Sequence, residues 1–295
     1  MPVLSIIILS YNTSEITKQC LDSLYSSLKK TPGFRFEILI VDNGSSDGSV
    51  SMLQKYQSRN SITLRLILNK KNVGYPHGNN QALKIAKGSF VLFLNSDTLI
   101  NQLDFGKITD YLKSHANVGA LTVKINLASK QIDPASHRGF PTVWNSFCYF
   151  LKLENSLGRL PLLNRLFGGY HLTYRDLNTV HEIGSPSGAF YLVKKAILDI
   201  IGGFDEKFFM YGEDLDLSMR IKNKGFKIIY FPFYKITHLK YASGLQTDNA
   251  KDRRTVKDHF YNSMKIFYDK YYAKNQPPII NKLIYFIIDF KKLIA

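Results

Sequence analysis

Cysteine is nearly absent from this chain. Cys20 and Cys148 are the only two in 295 residues. They exclude a disulfide framework and a cysteine-based metal cluster, and a reducing compartment is the simpler setting. Long apolar runs are also missing. No stretch approaches the roughly 18 to 20 apolar residues that a membrane-crossing helix needs. Residues 3–9 are apolar but short, without a basic region before them or a small-residue cleavage site after them, which argues against a signal peptide. Acid is scarce: 23 Asp and Glu face 39 Lys and Arg, a formal net charge of +16. Such an excess points to anionic partners, whether nucleic acid, anionic lipid or phosphorylated small molecules. No helix-turn-helix, RNA-recognition or zinc pattern is present, which argues against nucleic acid. Repeats and low-complexity tracts are missing as well.

What is there is a sizeable apolar fraction, 45% of residues, enough to build a core. Val3–Leu9 is a continuous β-branched run of the kind buried on both faces of a sheet. Ser14 opens an expected helix to about Lys29, with Ile16, Cys20, Leu21, Leu24 and Leu28 on one face. A second strand over Phe36–Val41 ends in the turn-rich residues 42–48, where Asp47 can cap the next helix. Further strands are expected over Ile62–Leu68 and Phe90–Leu94, with a helix over Pro76–Ala86 between them. Strand–helix alternation over about 100 residues predicts an α/β fold, doubly wound with a mostly parallel, mixed sheet flanked by helices. Later strands are expected at Val118–Ile125, Ala189–Val193 and Lys227–Phe231, with His238 in the loop that follows. Helices are expected over Lys194–Ile201, Glu213–Asn223, Thr255–Tyr272 and Ile279–Ile294. Residues 1–245 read as a catalytic domain with an insertion at 138–178, and 246–295 as a basic, amphipathic helical extension.

Ligands of open α/β sheets bind beyond the carboxyl ends of the strands. Tyr11, Asp42 and Asp97 all stand at such ends. Asp42 can accept a hydrogen bond from a ribose or base, or simply organise an Asx turn. Asp97 suits Mg2+ or Mn2+, which take one or two protein carboxylates and complete their shell with phosphate oxygens and water; a helix cap before Leu99 is the competing role. His238 can join it as a nitrogen ligand. Glu213 and Asp214 begin a helix, where the dipole favours acids and where a carboxylate facing the cleft can take a proton from a hydroxyl. Asp216 reads as a surface or supporting residue. Residues 72–80 form a Gly- and Asn-rich turn into a helix whose amides can meet phosphate, without the Walker pattern.

Six segments in order carry a resemblance: SIIILSYN at 5–12, ILIVDNGSSDGS at 38–49, NVGYPHGNNQAL at 72–83, VLFLNSD at 91–97, SGAFYLVKKAIL at 187–198 and the stretch from Gly202 to Pro232. Together they resemble family 2 glycosyltransferases of the GT-A fold, and the second-half segments resemble the bacterial rhamnosyltransferase branch. The resemblance implies that Tyr11 and Asp42 hold the nucleotide, that Asp97 and His238 hold the metal, and that Asp214 is the base. It puts Gly188 near the donor sugar, and Asn80, Asn95 and Glu213 among the nucleotide-sugar contacts. One departure is plain: the usual Asp-x-Asp is Asn95-Ser96-Asp97. The implied reaction is inverting transfer from a dTDP-L-rhamnose donor, or a UDP-sugar, to a glycan acceptor, possibly polyprenyl-diphosphate-linked. The implied place is the cytoplasmic face of the inner membrane. By their own composition, Ile279–Ile294 reads as a basic amphipathic helix that lies in a membrane interface or packs on the catalytic domain, and residues 138–175, with Trp144, Phe147, Tyr149 and Phe150, as a second membrane contact or the acceptor channel. A nucleotidyltransferase would want a Gly-rich phosphate loop after the first strand, where Ser10-Tyr11-Asn12-Thr13 stands instead. A silent scaffold would have no use for Asp42, Asp97, Asp214 and His238 together.

Overall fold

A computed structural model of the protein describes residues 1–59, 64–240 and 250–294. The elements run β1 (Leu4–Ser10), α1 (Ser14–Leu28), β2 (Phe36–Asp42), α2 (Ser49–Arg59), β3 (Leu64–Leu68), α3 (Tyr75–Ile85), β4 (Phe90–Asn95) and β5 (Thr98–Ile100). They continue with α4 (Phe105–Ser114), β6 (Val118–Leu127), α5 (Val143–Phe150), α6 (Leu153–Ser156), α7 (Asn164–Phe167), β7 (His181–Ile183) and β8 (Phe190–Lys194). The last are α8 (Lys195–Ile201), α9 (Glu213–Asn223), β9 (Lys227–His238), α10 (Ala250–Tyr271) and α11 (Pro278–Ile294).

One sheet organises them, in the order β3-β2-β1-β4-β8-β6-β9-β5, with β7 also paired to β9. The first four strands are mutually parallel, so β1, β2 and β4 present their carboxyl ends at one edge. The sheet then turns mixed, because β8 lies antiparallel between β4 and β6. Side chains alternate across β1 as the pleat requires. Leu4, Ile6 and Ile8 face α1, α2 and α4 through Leu21, Leu24, Leu53 and Ile108. Ile7 faces the other layer, where Ala82, Ile197, Leu217 and Ile221 come from α3, α8 and α9. Both faces are covered, which is why the central strands read as unbroken apolar runs.

Asp47 does more than the sequence implies. One of its carboxylate oxygens accepts from Ser49 N and Oγ at the start of α2, and the other accepts from Ser14 N at the start of α1. The third strand starts at Leu64; the expected Ile62 lies outside the described residues, as does the 245/246 domain boundary. β9 is longer than expected and ends at His238, so that residue is part of the sheet rather than of a following loop. The reason is a register shift: Val123 pairs with Phe231, but Lys124 pairs with Lys235. Pro232 falls inside this bulge, the place where a strand tolerates a residue without an N–H, and in the sequence it looked like an end. The three-residue β5 and β7 are too short to show periodicity. The helix cap considered for Asp97 is replaced by β5, which starts at Thr98.

Candidate functional site

The carboxyl edge of β1, β2 and β4 gathers the first group. Tyr11 is half-exposed there. Asp42 is fully buried; one oxygen accepts from the backbone N of Gly44 and Ser45, and the other has no partner. Next to it, Asn43 stitches the loops together, donating to Asn72 and accepting from Asn69 and Val73 N. The Asx turn therefore uses one oxygen of Asp42 and leaves the other without a protein partner.

Asp97 sits in the turn between β4 and β5. Antiparallel pairing of β5 with β9 sets Thr98 opposite His238, and Leu239 N donates to Asp97 O at 2.8 Å. These constraints bring His238 Nε2 to 3.1 Å from Asp97 Oδ1. On the far side of the ring, Nδ1 meets Asp133 Oδ2 at 2.7 Å, and Lys240 Nζ holds the other Asp133 oxygen at 2.9 Å. Burial opposes a charge on His238, but hydrogen bonds to Asp133 and Asp97 outweigh it and raise its pKa to about 9. For Asp133, burial works against ionisation, yet His238 and Lys240 bring its pKa down to about 2. The donor set fits a divalent cation in one specific respect: Asp133 occupies Nδ1, so that Nε2, once a cation displaces its proton, and the Asp97 carboxylate lie side by side as nitrogen and oxygen donors. Among the described residues no group of three or more His, Cys, Asp or Glu side chains converges on one point, so phosphate or water oxygens would have to complete the shell.

The second acidic group reaches the same crevice through α3. Tyr75 N donates to Phe209 O at 2.8 Å, fastening the 208–212 loop to the start of α3. Gly74 makes this possible, because its φ is +88° and a Cβ there would come within 2.7 Å of Phe209 O. The Tyr75 hydroxyl donates to Asn95 Oδ1 at 3.1 Å, and a Cβ on residue 188 would lie 2.5 Å from that hydroxyl. Gly188 is thus required by close approach rather than by backbone conformation. Tyr75 is partly buried, and desolvation together with the negative charge of Glu213, Asp214 and Asp97 raises its pKa well above the ordinary value. Tyr75 therefore links the two acidic stretches by contact, meeting Asn95 beside Asp97 and Phe209 just ahead of Glu213. Asn80 faces elsewhere: its amide donates to Phe204 O and Glu206 and accepts from Phe204 N. Those bonds use its polar atoms to brace α3 against the 204–206 loop.

Glu213 and Asp214 are both buried at the first turn of α9. Asp214 Oδ2 accepts from Arg138 at 2.6 Å, and Oδ1 accepts from Leu215 N. Burial works against the Arg138 charge, but Asp214 outweighs it and holds the guanidinium above its usual range. Glu213 has no such cation; burial first, then the neighbouring Asp214, raise its pKa to about 8. Asp216 is not a surface residue. It is fully buried and accepts from Arg220, Lys270 and Tyr271, which ties α9 to α10.

Buried polar atoms almost always have partners. Among the described residues six side-chain atoms lack one. Four of the six are Asp42 Oδ2, Ser187 Oγ, Arg138 Nε and Glu213 Oε2, all on the residues just described or beside Gly188. Sequence reasoning missed Tyr75, Asp133 and Arg138. Arg138 was hidden at the start of the segment that read as an insertion, and Asp133 has only a local signature, the cap of a one-turn helix whose Ala135 N donates to it. Its partner His238 is 105 positions away.

The family model described as glycosyl transferase family 2 matches residues 5–177. An uncharacterised glycosyltransferase of Bacillus subtilis, YfnE, is 34% identical over 119 residues, 40% of this chain and 28% of that protein. The match therefore spans under a third of that relative. The N-acetylglucosaminyl-diphospho-decaprenol L-rhamnosyltransferase of Mycobacterium tuberculosis is 24% identical over 250 residues, 81% of this chain and 76% of that one. The structure of a Pyrobaculum calidifontis mannosyltransferase in complex with GDP-Man and Mn2+ superimposes with a TM-score of 0.58 at 17% identity, covering 100% of this chain and 70% of that one; this likeness concerns the fold.

Proposed function

The chain belongs to glycosyl transferase family 2, and from that premise we propose that it transfers a sugar, with inversion, from a nucleoside-diphosphate donor to a glycan hydroxyl. The observation that carries this reading is that four of the six partnerless buried side-chain atoms among the described residues belong to Asp42, Ser187, Arg138 and Glu213. It supports a polar ligand that meets Asp42 at the nucleotide end and Ser187, Arg138 and Glu213 at the transfer end.

Tyr11 and Asp42 hold the nucleoside, and Asn95 and Gly188 line the sugar side next to Tyr75. Asp97 and His238 would hold Mg2+ or Mn2+, which would supply positive charge against a diphosphate. Asp214 takes the proton of the acceptor hydroxyl. That oxygen forms the new bond to the anomeric carbon while the bond from that carbon to the diphosphate oxygen breaks, and the nucleoside diphosphate departs. Arg138 fixes the Asp214 carboxylate in place, so the base is oriented before the acceptor arrives. A second reading has Glu213 as the base, supported by its partnerless oxygen and its pKa of about 8. dTDP-L-rhamnose is the leading donor and a polyprenyl-diphosphate-linked glycan the leading acceptor, because the mycobacterial relative transfers L-rhamnose to an N-acetylglucosaminyl-diphospho-decaprenol; UDP-sugars follow. Such an acceptor sets the enzyme at the cytoplasmic face of the inner membrane.

A thermal-shift panel of nucleotide sugars with and without Mn2+ tests the donor. A true donor stabilises the fold by mass action: metal-dependent stabilisation by dTDP-rhamnose is expected, and indifference to every nucleotide would sink the reading. Asp214→Asn is expected to keep that shift while transfer falls by at least about 100-fold. If Asp214→Asn still turns over and Glu213→Gln does not, the base is Glu213.

A further inference from the structure

Helix α11 is attached the wrong way round for a globular protein. Its polar side faces the protein. Asn281 pairs with Tyr268, Tyr285 with Asp269, Asp289 with Lys265 and Lys292 with Asp258, all on α10. Ile288 is the buried residue among them. The opposite stripe, Ile279, Leu283, Phe286, Ile287, Phe290 and Ile294, follows helical spacing and is exposed throughout, Phe286 at 65% and Ile279 at 71%. Ordinary amphipathic helices bury that stripe.

The stripe does not end with α11. Lys291 Nζ lies 5.4 Å from the centre of the Phe150 ring, which joins α11 to the end of α5. Around α5 stand Trp144, Phe147, Leu151, Leu162 and Leu166, all exposed, Leu162 at 96%. Two segments more than a hundred residues apart in sequence therefore meet, and each carries exposed apolar side chains beside the contact. Exposed basic residues border it: Lys152, Arg159, Arg165 and Lys282.

We propose that this joint face of α5, the 160–166 segment and α11 docks into the surface of an anionic bilayer. Single exposed apolar residues are commonplace, but a contiguous patch of this kind marks an interaction site. Charge selects the occupant. A second copy of the chain would set these lysines and arginines against their own kind, on a protein already at +16, whereas anionic headgroups complement them. A helix with Phe, Leu and Ile on one side and polar pairs on the other lies in the interface rather than across it, and no described helix is long and apolar enough to cross a membrane. The surface borders the transfer end of the site through residues 138–140: Arg138 meets Asp214, and Phe140 packs on the cluster of Phe208, Leu215 and Phe267. Docking would bring that end to the bilayer. The proposal deepens the lipid-linked-acceptor reading but is measured without donor or acceptor, so each can fail alone.

The chain carries its own reporter, since Trp144 is its single tryptophan. Vesicles of phosphatidylcholine with about 30% phosphatidylglycerol are expected to shift Trp144 emission to the blue, and brominated acyl chains to quench it. Neutral vesicles should bind at least about tenfold more weakly. Phe286→Ser with Phe290→Ser, both on the exposed stripe, should lower vesicle partitioning at least about tenfold while leaving the nucleotide thermal shift unchanged. No flotation at low salt would overturn the proposal. Flotation without a change at Trp144, or unaffected by the double variant, would overturn it too. A lipid-free dimer in sedimentation velocity that the double variant abolishes would assign the face to a second copy instead.

Discussion

Glu213 shows at the scale of one residue how the site departs from an ordinary helix start. Acids at the first turn of α9 need only the helix dipole to explain them, yet Glu213 is buried without a cation and its pKa is raised from 4.5 to about 8. The sign of the linkage follows. Between those values the folded protein keeps a proton that the unfolded chain releases, so stability declines as pH rises through that window and levels off above it. Glu213→Gln should remove this decline: its Tm is expected to fall less than that of the parent between about pH 5 and pH 8. Equal slopes would mean that Glu213 titrates as it does in the unfolded chain. Asp133 is the complementary case, a buried acid whose work is done through another residue. Asp133→Asn should weaken Mn2+ binding by about 10- to 100-fold, read by electron paramagnetic resonance without donor. An unchanged affinity would leave Asp133 a purely structural link between His238 and Lys240.

At the scale of elements, the N-terminal half was largely legible. Continuous apolar runs marked β1, β2 and β4, and the alternation of strand and helix gave the winding. Less was legible where tertiary pairing overrides local pattern. The bulge that hides Pro232 extended β9 to His238, and of the two roles expected for Asp216, surface or supporting, the fold gives the supporting one. Asp216 receives hydrogen bonds from Arg220 on its own helix and from Lys270 and Tyr271 on α10. Breaking a buried ion pair from one side strands its partners, so Asp216→Ala is expected to cost about 3 kcal/mol. Urea denaturation should show a lower midpoint with an unchanged m-value. A change below about 0.5 kcal/mol would mean that α10 docks by its apolar contacts alone, through Phe267 on Phe208 and Leu215.

At the scale of the whole molecule, the candidate site is divided between distant parts of the chain. Tyr11, Asp42, Asn95 and Asp97 were readable because each ends or follows a strong strand. Asp133, Arg138 and Tyr75 were not, because nothing in the residues beside them signals that they will meet His238, Asp214 and Asn95. The α5–α11 surface was half legible. Both segments read as amphipathic or aromatic, but only the fold shows that they adjoin and that α11 turns its polar side inward.

The antiparallel insertion of β8 between β4 and β6 has a consequence for biosynthesis. Strands β1 to β4 and their helices leave the ribosome as a nearly complete parallel half-sheet, yet β4 has an open edge until Phe190–Lys194 emerges. At translation rates of about 5–20 residues per second, that edge stays unpaired for several seconds at least. Exposed edges are templates for wrong partners, so the nascent chain passes through an interval in which another strand can capture β4. Chaperone dependence and inclusion-body formation should be governed by the arrival of β8 more than by the stability of the finished enzyme.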